Sequence, residues 1–261
     1  MTITFAQGGL RLKTGSIATL TLDRPSRRNA MTAAMWAALP EICNHLTSAA
    51  TRVLIVRGAG DKAFCAGADI LEFESVYGTS DATATYNADV RAAQASLRDL
   101  SCSTIAEVRG ACYGGGCGLA LACDFRVAGK DASFAITPAR LGLAYSPADT
   151  WQLIEKVGMP RAKDLLLTGR VVDAKEARAI GLIDRLEEDA TAASKALADH
   201  LSSLAPAALS AIKSICNGLS VPDVAPALHS AFEDTFSGAE FREGYRAFLE
   251  KRSPDFGGEN T

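Results

Sequence analysis

Three consecutive glycines, Gly114 to Gly116, are the residues of this chain best suited to chemistry. They follow an apolar segment with strand character and precede Gly-Leu-Ala-Leu-Ala-Cys, a composition typical of a buried helix. Glycine permits positive φ and a close approach of the backbone to a ligand. The first N–H groups of a helix are unpaired, and its dipole is positive at that end. The pattern therefore indicates an anion or oxyanion site, and the alternative is a tight turn that only allows close helix packing.

A second turn of small residues, Ala66-Gly67-Ala68-Asp69, offers another free N–H group if the two turns meet in the fold. Two nucleotide-binding patterns fail in these regions. A G-x-G-x-x-G motif beginning at Gly114 would need glycine where Leu119 stands, and no Walker lysine and hydroxyl follow. The segment that begins at Gly58 stays extended or turned where a dinucleotide-binding helix should begin.

Composition narrows the classes of partner. The chain has 261 residues and a net charge of −3, with no block of lysine or arginine, so we expect no nucleic-acid partner. Its apolar stretches are shorter than the roughly 20 residues that a membrane span needs, so we expect no membrane association. The N-terminus lacks the basic start and apolar core of a signal peptide. The length allows one large domain or a main domain with an appendage.

The seven cysteines are odd in number and mostly lie in apolar sequence, which indicates reduced thiols in a cytoplasmic protein. Cys112, Cys117 and Cys123 lack C-x-x-C spacing, and the three histidines are scattered. We therefore expect no metal site.

Hydrophobic patterning predicts an α/β chain. A composition shift near residue 188 predicts an α/β body over residues 1–188 and a helical region over residues 189–261. The main predicted elements are a β-meander over 3–22, a helix over 29–50 with Thr32 as its N-cap, a strand over 53–56, helices over 70–100 with a break at 77–80, strands over 125–128 and 132–136, a loop over 137–147, a helix opening at Asp149, and a helix–strand unit over 173–186.

Five segments in order resemble the crotonase, or enoyl-CoA hydratase/isomerase, superfamily. They are LDRPSRRNAM (22–31), KAFCAGADI (62–70), GGGCGLALACD (114–124), FAITPARLGL (134–143) and AFLEKRSPDF (247–256). The resemblance implies a spiral of ββα units with a helical C-terminal trimerisation region, assembled as a homotrimer or a dimer of trimers. It also implies an acyl-CoA substrate and no cofactor beyond the CoA moiety of that substrate.

The same resemblance assigns roles to residues. It implies that the backbone N–H groups of Ala68 and Gly115 hold the thioester oxygen. It places CoA beside Arg27, Arg28, Ala66, Asp69, Ile70, Phe248 and Lys251. Without the resemblance, the adjacent arginines and Lys251 would be interpreted as solvated charges.

The chain departs from typical hydratases where their two glutamates stand, because it has Gly118 and Pro138 there. Neither residue transfers a proton, so the ordinary hydration pair is missing. Tyr145 and Asp149, in the loop that faces the carbonyl site, are the candidate replacements. The alternatives are a packed pocket wall for Tyr145 and a helix N-cap for Asp149.

Two further glutamates, Glu72 and Glu74, are predicted behind these candidates. The run ITPARLGLAY resembles methylmalonyl-CoA decarboxylases, although this chain has Leu71 where they carry a histidine.

Three functions follow as hypotheses. The first is an enzyme that isomerises, decarboxylates or atypically hydrates an acyl-CoA through an enolate held by Ala68 and Gly115. The second is a CoA-thioester-binding protein without catalysis. The third is a thioester hydrolase with Cys65 or Cys117 as nucleophile, disfavoured because no histidine lies near either in sequence.

Overall fold

The structure is a computed structural model that describes residues 1–220 and 232–255, with residue 220 in its backbone only. The predicted helical region over 189–261 therefore lies partly outside the described residues. The last residue of the 247–256 segment also lies outside them. The boundary at residue 188 stays a prediction.

The strands of the described chain are short and mostly buried. They are β1 Thr2–Phe5, β2 Leu10–Lys13, β3 Ile17–Leu22, β4 Val53–Gly58, β5 Ala63–Cys65, β6 Ser103–Val108, β7 Ala111–Tyr113, β8 Phe125–Gly129, β9 Ser133–Ala135, β10 Val172–Asp173 and β11 Arg185–Glu187. The helices are α1 Ala33–Ser48, α2 Phe73–Val76, α3 Ser80–Arg98, α4 Gly115–Leu121, α5 Pro147–Val157, α6 Met159–Thr168, α7 Ala174–Ala179, α8 Ala190–Ser203, α9 Pro206–Ser220 and α10 Ala239–Glu250.

Two sheets form the framework. The larger has the order β1-β2-β3-β4-β6-β8-β11, and the smaller has the order β10-β9-β7-β5. From β4 to β9 the chain alternates between them, because β4, β6 and β8 pair in parallel in the larger sheet and β5, β7 and β9 do so in the smaller. This alternation confirms the predicted α/β spiral of ββα units. It also places the ends of β5 and β7 side by side.

Most helix predictions agree with the structure. Thr32 caps α1, and its hydroxyl accepts a hydrogen bond from the Met35 amide at 3.2 Å. The helix predicted to open at Asp149 instead begins at Pro147, because Ser146 is the N-cap and accepts from the Asp149 amide at 3.0 Å.

Helices at the C-terminal end pack on this framework. Leu197, Ala198 and Leu201 of α8 share a buried cluster with Val53 and Ile105 of the larger sheet. Helix α10 crosses the 138–141 turn so closely that a Cβ on Gly244 would lie 2.6 Å from the backbone of Leu141. This contact packs α10 against the turn that follows β9.

Within residues 1–220 and 232–255, no helix combines the length and apolarity that a bilayer crossing requires. Over the same residues, no three His, Cys, Asp or Glu side chains are grouped as metal ligands would be.

Asn29 connects the loop before α1 to the turn between β4 and β5. It is fully buried at φ +56°, its Nδ2 donates to Ala63 O at 2.7 Å and Ala59 O at 3.0 Å, and its Oδ1 accepts from the Arg24 amide at 3.1 Å. The Asn29 side chain thus makes three hydrogen bonds, and its backbone has a left-handed conformation that asparagine tolerates.

We predict that Asn29→Ala lowers the free energy of unfolding by about 3 kcal/mol, because each lost buried hydrogen bond costs about 1 kcal/mol. Urea denaturation measures the change. Asn44→Ala, on the exposed face of α1, is the matched control and should stay within about 0.5 kcal/mol of the wild type. Equal losses in the two variants would contradict the role of Asn29.

Candidate active site

The glycine turn between β7 and α4 has a backbone that only glycine adopts readily. Gly114 has φ 51° and ψ −119°. A Cβ on Gly116 would lie 2.4 Å from Cys65 O, which is far inside van der Waals contact. The absence of these side chains lets the turn touch the end of β5.

Ala68 lies beside this turn in a short parallel bridge with Met31. The Met31 amide donates to Gly67 O at 2.8 Å, and the Asp69 amide donates to Met31 O at 2.8 Å. Because a parallel bridge pairs the groups flanking the central residue, the N–H of Ala68 points away from Met31.

Two backbone N–H groups without a backbone acceptor in the described chain lie close together. Within the described residues, Ala68 N donates to no backbone oxygen, and Gly115, as the first residue of α4, has no intrahelical acceptor. A Cβ on Gly115 would lie 3.8 Å from Ala68 N, so the two turns are in contact. The sequence alone could not establish this contact.

Ala68 and Gly115 both line a cavity of about 140 Å³. One wall of it is aromatic, and that wall comes from α2, α3 and the residues around 232–236. Among its lining residues are Trp36, Phe73, Tyr77, Tyr86, Pro138, Tyr145, Asp149, Phe232 and Phe236. The cavity therefore combines two N–H donors with an apolar surface.

Asp149 brings a carboxyl group to this cavity from the first turn of α5. Its side chain is 4% exposed, its Oδ2 accepts a hydrogen bond from the Ser146 hydroxyl at 2.7 Å, and its Oδ1 has no hydrogen-bond partner. Burial raises the pKa of Asp149 to about 6, although the Ser146 hydroxyl and the nearby Gln94 carboxamide both oppose the shift. The N-cap alternative for Asp149 is wrong, since Ser146 caps α5.

The same carboxyl fills space beside Gly118. A Cβ on Gly118 would lie 2.8 Å from Asp149 Oδ1 and 2.4 Å from Gln94 Nε2. The volume that a side chain at position 118 would need is therefore occupied by polar groups from α5 and α3.

Tyr145 supports the glycine turn. Its hydroxyl donates to Gly114 O at 3.3 Å, and it lines the cavity. Burial and the neighbouring Asp149 charge raise its pKa well above the ordinary value. The phenol is thus a neutral hydrogen-bond donor already engaged with the backbone, which favours the wall interpretation over a proton-transfer role.

A second cavity, of about 550 Å³, adjoins the first and shares Ala66, Ala68 and Ile70 with it. Most residues predicted to contact CoA line it, and these are Arg27, Arg28, Ala66, Asp69, Ile70 and Phe248. Lys251 is not among the lining residues and ends α10 at φ 55°. Phe248 reaches the groove of its own chain. We call this cavity the entrance groove.

Asp69 lines the groove, but its carboxylate is already engaged by other groups of the protein. Its carboxylate pairs with Arg24 at 2.8 Å and accepts from the Leu71 amide at 3.2 Å. This ion pair fixes the turn that carries Ala68.

The two predicted glutamates lie away from the first cavity. Glu72 accepts from the Ala33 amide at 2.7 Å, at the positive end of α1, and Glu74 is exposed. Neither lines the cavity.

The candidate cysteine nucleophiles are buried in the core. Cys65 is 0% exposed and Cys117 is 2% exposed, and burial raises the pKa of Cys65 to about 12. A thiol that holds its proton so tightly is a poor nucleophile, so the structure disfavours the hydrolase hypothesis.

Sequence reasoning missed the contribution of α3. Asn87 and Gln94 are buried on that helix, seven residues apart, with Asn87 in the cavity wall and Gln94 beside Gly118. Buried amides at helical spacing in an otherwise alanine-rich segment were the available signal.

Comparison with known proteins agrees with this architecture. A family model described as enoyl-CoA hydratase/isomerase matches residues 13–259. An enoyl-CoA isomerase/hydratase of Zymoseptoria tritici is 33% identical over 267 residues, which cover 94% of this chain and 85% of that protein.

Solved structures are similar over nearly the whole length. An enoyl-CoA hydratase/carnithine racemase from Magnetospirillum magneticum has 33% identity and a TM-score of 0.79, with 95% of each chain covered. A methylmalonyl-CoA decarboxylase in complex with 2-nitronate-propionyl-CoA has 25% identity and a TM-score of 0.85, covering 95% of this chain and 97% of that one.

The raised pKa of Asp149 predicts a pH-dependent cost to stability. Unfolding returns the carboxyl to its ordinary pKa near 4, so between pH 4 and 6 the folded state binds more protons and stability falls as pH rises. We expect Asp149→Asn to be more stable than the wild type at pH 7, by on the order of 2 kcal/mol, and to lack this dependence.

Thermal unfolding at pH 4, 5, 6 and 7 measures this effect. Asp81→Asn, at an exposed position on α3, is the control and should keep the wild-type pH dependence. If Asp149→Asn also retained the full wild-type slope, the assignment of the buried charge to Asp149 would be incorrect.

Proposed function

Because the chain belongs to the enoyl-CoA hydratase/isomerase family, we propose that it is an enzyme that converts an acyl-CoA through a thioester enolate. The Ala68 and Gly115 amides stabilise the enolate oxygen, and Asp149 transfers the proton. The proposal is supported by the position of Ala68, Gly115 and the buried Asp149 in the lining of a single cavity, where neither backbone N–H has a backbone acceptor among the described residues. Each fixed donor to a developing oxyanion typically contributes about 3 kcal/mol to transition-state stabilisation.

A single carboxyl favours double-bond isomerisation. Asp149 is the one carboxylic acid among the described residues that line the cavity. In an isomerisation it removes a proton from one carbon of an enoyl thioester, the electron pair shifts to the thioester oxygen, and the same proton returns to another carbon. Hydration by the usual pair would need a second acid or base, and Gly118 and Pro138 supply none.

The entrance groove supports recognition of CoA. Arg27 and Arg28 offer charge for phosphate groups, and Phe248 offers an aromatic face for the adenine. The groove continues into the cavity at Ala66 and Ala68, so a thioester bound along it meets both amides. We also propose the homotrimer or dimer of trimers that the family resemblance implies.

The alternative of a CoA-thioester-binding protein without catalysis makes a distinct prediction. Both functions require saturable binding of acyl-CoA, but only the enzyme exchanges the α-proton with solvent or converts the thioester. The alternative is favoured by the missing glutamates, and the polar groups that occupy the space at Gly118 count against it.

The oxyanion proposal is tested by two substitutions at one residue. Gly115→Pro removes the N–H at a position where a helix tolerates proline, whereas Gly115→Ala adds a side chain and keeps the N–H. We expect Gly115→Pro to lose a further 10²- to 10³-fold in kcat relative to Gly115→Ala, about the cost of one oxyanion donor.

A panel of 2-enoyl- and 3-enoyl-CoA thioesters, followed by product mass spectrometry and by deuterium exchange at the α-carbon, measures this loss. Equal rates for the proline and alanine variants would refute the donor role of Gly115. Tight binding without turnover or exchange in the wild type would establish the binding protein instead.

The role of Asp149 predicts a pH profile. As a general base it must be ionised, so we expect kcat/KM to rise with pH through about 6 and then to level. Ser146→Ala should move this inflection to higher pH, because it removes a hydrogen bond that favours the carboxylate. Asp149→Asn should lower kcat by about 10²- to 10⁴-fold. An unchanged profile in Ser146→Ala would argue against Asp149 as the titrating base.

A further inference from the structure

A third cavity lies behind the candidate active site. It has a volume of about 300 Å³ and separates one face of α3 from the first turns of α5. Asn87, Val90, Ser146 and Phe232 line both this cavity and the one that contains Asp149. The rear cavity, as we call it, therefore adjoins the cavity that contains Asp149.

Three carboxamide side chains surround the rear cavity. Asn87, Gln94 and Gln152 are 9%, 4% and 7% exposed. Asn87 Nδ2 and Gln152 Oε1 have no hydrogen-bond partner among the described residues, whereas Gln94 Nε2 lies toward Asp149 Oδ1 beside Gly118. Asn87 Nδ2 and Gln152 Oε1 are two of the eight buried side-chain polar atoms that lack a hydrogen-bond partner in the described part of the chain. Buried polar atoms without partners are costly, so two of them on one cavity indicate a site that a polar ligand completes.

The charges around the rear cavity favour an uncharged ligand group. The Arg98 guanidinium is already paired with both oxygens of Asp99, at 2.9 and 3.1 Å, and Arg91 is exposed. The carboxyl of Asp149 lies on the adjoining side, where a second carboxylate would meet repulsion. Amide donors and one carbonyl acceptor suit a hydroxyl, which both accepts and donates, or a ketone, which accepts.

We propose that the rear cavity binds the distal end of the acyl group and selects acyl chains that carry a hydroxyl or keto oxygen beyond the β-carbon. This inference rests on the proposed function, since it assumes that the thioester lies at Ala68 and Gly115. The Asn87 carboxamide donates to the distal oxygen, and a hydroxyl there donates to Gln152 Oε1. An alkyl chain leaves these amides unpaired.

Binding and turnover are measured separately to test this. Calorimetry compares saturated acyl-CoA thioesters of equal chain length, of roughly six to ten carbons, that end in an alkyl group or carry a hydroxyl, a ketone or a carboxylate near the end. We expect the hydroxyl or keto thioesters to bind at least about tenfold more tightly than the alkyl ones. Asn87→Leu and Gln152→Met, which keep side-chain size, should each reduce that ratio several-fold, whereas Asn44→Leu on the exposed face of α1 should not.

The outcomes separate the two proposals. Equal affinity for alkyl and oxygenated thioesters, a preference for the carboxylate, or a ratio unchanged in both amide variants would overturn the rear-cavity inference even if turnover is observed. A retained oxygen preference without turnover or α-proton exchange in the matching enoyl series would overturn the proposed catalysis and leave the distal subsite supported. Absence of binding by any thioester would overturn both.

Discussion

The contact between the backbone of the glycine turn and the backbone at the end of β5 is the constraint on which the site depends. Parallel pairing of β5 and β7 brings their carboxyl ends to one edge of the smaller sheet, where parallel folds commonly bind ligands. Gly116 then lies so close to Cys65 that any Cβ would force the two turns apart. The bridge from Met31 to Ala68 fixes the second turn from its other side, so the backbone of both turns is held by the fold itself.

The chemistry of each turn was predictable from sequence, but their juxtaposition was not. Glycine content and the following helix indicated a free amide at Gly115, because those properties are local. The strands that bring Gly115 to Ala68 are three residues long and carry no alternating pattern, so residue pattern alone could not pair them. Only the resemblance of five ordered segments predicted the spiral, and the alternation of strands between two sheets confirms it.

Prediction from the sequence was weakest for side chains of one helix that pack against another helix. The helix was predicted to open at Asp149, with an N-cap role for that residue left as an alternative, whereas it begins at Pro147 with Ser146 as the cap; a shift of one or two residues in a helix start lies within the accuracy of propensity arguments. From the sequence, the absence of a side chain at Gly118 indicated only that a glutamate of the usual hydration pair is missing. The structure shows instead that Gln94 and Asp149 meet there from two other helices, a long-range contact that no local pattern encodes.

The position of that meeting point brings a carboxyl of α5 close to the start of α4. Gly115 and Gly118 are three residues apart on α4, which is a separation of about 4.5 Å along the helix axis. A carboxylate oxygen 2.8 Å from the Cβ position of Gly118 is therefore within one helical turn of Gly115, although it belongs to α5. It is held by the Ser146 hydroxyl, buried among amides, and its pKa is raised towards neutrality, which is where a base that both takes and returns a proton is most effective. In the proposed function α4 supplies the donor and α5 supplies the base, so we expect substitutions in α5 to alter proton transfer without changing the hydrogen bonds to the thioester oxygen.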